Sequence, residues 1–121
     1  MNSEEIIALL PYSKPFLFVD ELTEIDEEGI KGNYTLDPDL DFYKGHFKDN
    51  PITPGVILTE IMAQIGVVCL GIDLSVKTLN SDMQIALTSS QVDFFLPVLP
   101  GEKVFVESEI FAHESGLLAV V

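Results

Sequence analysis

Arginine is absent, and the only cations are six lysines (Lys14, Lys31, Lys44, Lys48, Lys77 and Lys103) against twenty acidic residues. A formal net charge of −14 over 121 residues argues against nucleic acid or an anionic membrane as a partner, since both demand clustered positive charge. The single cysteine, Cys69, leaves no intrachain disulfide, and its place in an apolar run marks it as a core thiol. The opening MNSEEIIALL is acidic, without the basic region or cleavage site of a signal peptide, so a cytoplasmic protein is expected. No internal repeat and no linker-like stretch interrupts the chain, which predicts one domain over residues 1–121.

What the chain has in abundance is apolar residues, 47% of the total, enough to exclude disorder. They concentrate in Val56–Ile72, whose only charged residue is Glu60. Pro54, Glu60, Gln64, Gly66 and Gly71 argue against a membrane span, and the run is read as a buried helix. Thr53 is placed to cap its start, Pro54 suits the first helical position, and Gly71 is placed to end it.

Around this helix the patterning reads as strand. Ser3–Leu10 predicts a short helix capped by Ser3. Residues 16–36 alternate around a Glu27-Glu28-Gly29 turn and predict a hairpin. Gln84–Phe95 predicts a strand, Pro97–Gly101 a turn, Val104–His113 a strand with Val104, Val106, Ser108, Ile110 and Ala112 on one face, and Leu117–Val121 a final strand. A lone helix too apolar for any surface has to be enclosed by the sheet. The expectation is an α+β fold, a curved antiparallel sheet wrapped around one long central helix.

Two residues carry candidate chemistry. His46 lies in the polar loop just before the helix, and an imidazole titrates close to neutrality. Glu60 lies in apolar surroundings, where a carboxylate must be paired, wetted by a cavity or kept protonated. Gly55, at the helix start, lets a substrate approach the backbone. A histidine, a helix N-terminus and an acid so close together suggest acid–base chemistry on a neutral substrate. Read alone, His46 is equally a solvated loop histidine, and Glu60 a helix carboxylate paired with a lysine.

Several segments carry a family signature in order: Leu10-Pro11, Lys14-Pro15-Phe16-Leu17, Val19-Asp20, Gly45-His46-Phe47, Pro51-Ile52-Thr53-Pro54-Gly55-Val56, Glu60, Ala63-Gln64 and Pro97-Val98-Leu99-Pro100-Gly101. The set resembles the hotdog-fold 3-hydroxyacyl-(acyl-carrier-protein) dehydratases of bacterial fatty acid synthesis, over nearly the whole chain. The resemblance implies a hotdog fold acting as a homodimer with two shared active sites, often assembled further into a trimer of dimers. It implies His46 as catalytic histidine and Glu60 as catalytic acid contributed to the partner's site. It also implies the Gly55 amide facing the thioester carbonyl, the Ile52 carbonyl holding the histidine ring, and the Gln64 amide holding the acid. The substrate implied is an acyl chain borne on acyl carrier protein, with neither metal nor organic cofactor.

The chain departs from the family pattern at Lys48, where proline usually follows His-Phe, and at Asp93, Phe95 and Leu96, where basic residues usually dock the acidic carrier. Lys44 and Lys48, bracketing His46, are the remaining candidates for that contact. Two alternatives stay open: a hotdog thioesterase or enoyl-coenzyme A hydratase, and a non-catalytic hotdog that binds acyl thioesters.

Overall fold

The computed structural model describes residues 2–77, 89–113 and 116–121. Helix α1 covers Ser3–Ala8 and the hairpin strands are β1, Glu21–Ile25, and β2, Gly29–Thr35. A 3₁₀ turn over Asp41–Lys44 leads to the long helix, built of α2 (Gly55–Ala63), a π-helical segment (Gln64–Cys69) and α3 (Leu70–Lys77). Strands β3, Lys103–His113, and β4, Gly116–Val120, complete an antiparallel sheet of order β1-β2-β3-β4.

The hairpin turns where Asp26 stands before the predicted Glu27-Glu28-Gly29 turn. Its carboxylate accepts the amides of Glu28 at 2.8 Å and Gly29 at 2.9 Å, the local bonding by which aspartate favours turns over ladders. From there β2 pairs with β3 without interruption, Gly29 opposite Glu109 through to Thr35 opposite Lys103. Strand period then decides burial. Ile30 and Tyr34 of β2, with Val106 and Ser108 of β3, are buried on the face toward the helix.

The helix answers with Ile61, Ile65, Cys69 and Leu70, each at most 1% exposed. Burying each of the aliphatic ones contributes roughly 1.5–3 kcal/mol. Gly66 lets this face lie close to the sheet: a Cβ there would stand 3.0 Å from Val121 and 3.1 Å from Ser108. Helix α1 adds Ile6 to the core, and Leu10 just beyond its end joins it.

The expected α+β arrangement of an antiparallel sheet against one long helix is therefore present, with corrections in detail. The Ser3 cap is replaced by Asn2, whose side chain accepts from the Glu5 amide at 2.9 Å. Residues 16–20 form no strand, and β1 begins only at Glu21. The helix runs past Gly71 to Lys77. Of the predicted strand Gln84–Phe95, residues 84–88 lie outside the described residues, and 89–95 have no regular structure.

Burial also sets the alkaline limit of stability. It pushes the Cys69 thiol up from 9.0 to about 12. Burial, and then the Asp20 and Asp37 carboxylates, push the Tyr34 phenol up from 10.0 to about 12. Both groups ionise more easily in the unfolded chain, so their stabilisation is full below pH 9 and is lost as pH rises toward 12. Denaturant midpoints measured from pH 8 to pH 11 are expected to fall, and Tyr34→Phe is expected to flatten part of that slope.

Candidate functional site

The first half of the site is the loop between the 3₁₀ turn and α2. Its backbone is closed on itself: the Phe47 amide donates to the Asn50 carbonyl at 2.8 Å and the Asn50 amide returns to Phe47 at 3.0 Å. His46 and Ile52 are brought together twice. The Ile52 amide donates to the His46 carbonyl, and His46 Nδ1 lies 2.9 Å from the Ile52 carbonyl oxygen. A carbonyl only accepts, so Nδ1 carries a proton, and in the singly protonated ring Nε2 is the nitrogen with the lone pair. Phe47 stacks on the imidazole with ring centroids 3.9 Å apart. His46 is thus a held, half-buried ring rather than a free loop side chain.

Thr53 does not cap the helix. Its hydroxyl is engaged with the Tyr43 phenol, and its amide donates to the Val98 carbonyl at 2.9 Å. Pro54 occupies the cap position and α2 begins at Gly55. The loop is therefore bound to the Pro97–Gly101 turn through Thr53, and to the 3₁₀ turn through Tyr43. Above Gly55 stands the Phe94 ring, whose nearest atom would lie 3.0 Å from a Cβ added there. Glycine keeps the helix N-terminus open enough for that ring, and the amide there sits at the positive end of the helix dipole.

The second half is on the helix. Glu60 and Gln64, one turn apart, meet at 3.1 Å, with Gln64 Nε2 donating to Glu60 Oε1. Gln64 is fully buried and its orientation is forced. Its Oε1 accepts the Phe18 amide at 2.8 Å, so its Nε2 end faces Glu60 and the Phe16 carbonyl, the latter at 3.0 Å. An Nε2 donor on Oε1 leaves Glu60 Oε2 as the oxygen free to carry and deliver a proton. Glu60 itself is half-buried in the single chain, not enclosed as the apolar run suggests. Tyr12 completes the surroundings: burial, then the Glu60 and Cys69 charges, push its phenol up.

Within one chain the hydrogen bonds of the two halves are distinct, His46 with Ile52 and Glu60 with Gln64. Lys44 is exposed and pairs with Asp41 at 3.1 Å, and Lys48 is exposed on the same loop. Among the described residues no group of three His, Cys, Asp or Glu side chains is placed to hold a metal ion. Sequence reading missed Tyr12 and the Tyr43–Thr53 pair. It also missed that the segment before β1 is held by a helix side chain. The unbroken hydrophobic and aromatic character of Pro15–Val19 gave no sign that its backbone bonds lie elsewhere.

A hotdog-type sheet around one helix, with an ordered histidine in the loop before that helix and an ordered acid on it, defines the class. The chain belongs to the FabA-like domain family, which it matches over residues 10–120. Among its relatives is the 3-hydroxyacyl-(acyl-carrier-protein) dehydratase FabZ of Petrotoga mobilis, 34% identical over 117 residues, spanning 97% of this chain and 81% of that protein. The enzyme of the same name from Caldicellulosiruptor bescii is 33% identical over 120 residues, 96% of this chain and 81% of its own length. The one from Caldicellulosiruptor saccharolyticus is 36% identical over 111 residues, 88% of this chain and 75% of its own.

Gln64→Leu is expected to strip the Phe18 amide and the Phe16 carbonyl of their partner, since leucine matches the glutamine in shape but not in bonding. The buried Phe18 amide, left without its acceptor, costs about 1–3 kcal/mol, and the part-buried Phe16 carbonyl adds less. A denaturant titration should therefore show a loss of several kcal/mol, well beyond that of an ordinary surface substitution.

Proposed function

We propose that this chain is a single-domain cytoplasmic dehydratase. It removes water from 3-hydroxyacyl thioesters carried on acyl carrier protein, yielding the trans-2-enoyl thioester. The observation that carries this reading is the pair of fixed orientations built into the two halves. The bond from Nδ1 to the Ile52 carbonyl leaves His46 Nε2 as the nitrogen to face a substrate, and Gln64 on Oε1 leaves Glu60 Oε2 as the open oxygen. Membership in the family and the names of the relatives support it.

In the proposed reaction His46 Nε2 takes a proton from C2 while negative charge develops on the thioester oxygen, which the Gly55 amide meets. The C3–O bond breaks, the C2=C3 bond forms, and Glu60 Oε2 gives its proton to the departing hydroxyl, releasing water. Solvent exchange then resets both groups. As no hydrogen bond joins His46 to Glu60 within one chain, the proposed site is completed by two copies, each giving its Glu60 to the other's His46. The exposed apolar residues Phe47, Val56 and Phe95, at 53%, 76% and 89% exposure, support such pairing, because single soluble chains seldom leave this much apolar surface to water. Assembly of three such dimers is a further step of the same proposal.

The test is incubation with 3-hydroxyacyl thioesters on carrier protein and on coenzyme A, following enoyl product and free thiol. Enoyl product on the carrier substrate is expected. Free thiol would make the chain a thioesterase, turnover only on coenzyme A would make it a hydratase, and no turnover would leave a binding protein. His46→Ala and Glu60→Gln are each expected to lower kcat by about a hundredfold or more with the assembly intact by light scattering.

Docking of an acidic carrier on a chain of net charge −14 falls to the lysines beside the histidine loop. Lys44→Glu or Lys48→Glu is expected to weaken carrier binding in a titration more than it slows turnover of a small thioester analogue. Equal effects on both would remove these lysines from the docking face.

A further inference from the structure

We infer that Ser108, buried on β3 far along the chain from either half-site, is a positioning residue that sets the register of the helix under Gln64 and so aims Glu60. This rests on Glu60 being the acid of the proposed reaction. Ser108 is 1% exposed in a row whose neighbours on the same face, Val104, Val106 and Ile110, are aliphatic. A hydroxyl among them requires a partner. That partner is the Gly66 carbonyl, which accepts Ser108 Oγ at 2.8 Å.

The bond lies where the helix changes winding. An α-helix would send the Leu70 amide to the Gly66 carbonyl four residues back. Here the Leu70 amide turns to the Val67 carbonyl, and Gly66 is met from outside by the serine. The π-helical segment is Gln64–Cys69, so it opens at the residue that holds Glu60. A wider turn rotates the α-helical turns on its two sides relative to one another. Gln64 meets the Phe18 amide, the Phe16 carbonyl and Glu60 at once from the first residue of this segment. The glycine at 66 belongs to the same device, because a Cβ there would stand 3.1 Å from Ser108 Cβ and hold the strand away. Remove the serine hydroxyl, and the buried Gly66 carbonyl is best satisfied by recovering the ordinary α-helical bond from Leu70. That rewinding turns Gln64 away from its three partners.

The experiment compares the assembled wild-type protein with Ser108→Ala and with Val106→Ala, a core truncation on the same face of the same strand. Two measurements are made: hydrogen exchange at the Phe18 amide, which reports the Gln64 contact directly, and steady-state dehydration. Ser108→Ala is expected to lose at least roughly tenfold in Phe18 protection, and to lower kcat by roughly ten- to a hundredfold with KM unchanged, as small misplacements of a reacting group do. Val106→Ala is expected to lower the melting temperature further while keeping kcat and the Phe18 protection. The inference is overturned if Ser108→Ala protects Phe18 as the wild type does, or if the two variants differ only in proportion to their stability. Absence of turnover in the wild type would overturn the dehydratase reading instead, while the Phe18 exchange would still decide whether Ser108 sets the helix register.

Discussion

A buried side-chain amide with no freedom to turn around is the constraint on which the rest of this structure depends. Gln64 meets a donor, the Phe18 amide, on its oxygen, and two acceptors, the Phe16 carbonyl and Glu60, on its nitrogen. Reversing the amide would set N–H against N–H and oxygen against oxygen, so a single orientation survives. In a low-dielectric interior such a satisfied network is rigid, and each of its bonds is costly to leave unmade. The same group thus fixes the extended segment around Phe16 and Phe18 and gives a half-exposed carboxylate one defined geometry. Folding and chemistry meet at one residue.

The histidine half obeys the same logic with backbone in place of side chain. The Ile52 peptide both donates to the His46 carbonyl and accepts from the His46 ring. The loop must therefore fold for the ring to be oriented, and the oriented ring helps hold the loop. Thr53 and Tyr43 extend the hold to the Pro97–Gly101 turn. Acid–base catalysis loses steeply with small errors of placement. Both halves are built from groups whose bonding leaves no second arrangement of similar energy.

Much of this was legible in the sequence, and the remainder was hidden for physical causes. Strands β2 and β3 are read from period-two alternation because one face is buried and the other wet. The histidine loop, the helix and the Glu60–Gln64 spacing are legible because helical period places residues four apart together. The extended run Phe16–Asp20 has the composition of a strand, yet the partners of its Phe18 amide and Phe16 carbonyl come from a glutamine 46 and 48 residues away. Composition reports burial; it does not report who supplies the hydrogen bonds. Thr53 has the local signature of a cap, but a buried phenol competes for the hydroxyl and wins. Gly71 does not end the helix because that end is stabilised by packing, with Leu70 fully buried, and tertiary burial outweighs a single glycine's penalty of about 1 kcal/mol. The π-helical winding at Gln64–Cys69 has no sequence signature, and the side chain bonded to it, Ser108, lies in another strand.

The expectation that Glu60 is buried fails for a reason that bears on assembly. An apolar helix reads as covered on every side, whereas this sheet covers one side and leaves Val56 76% exposed near the helix start. Water along that face would weaken every electrostatic contact Glu60 makes and would wet a site meant for an acyl chain. Under the proposed pairing of two copies, the same event that brings His46 and Glu60 together also removes water from the acid, strengthening its contacts. Assembly and activation of the site are then one step.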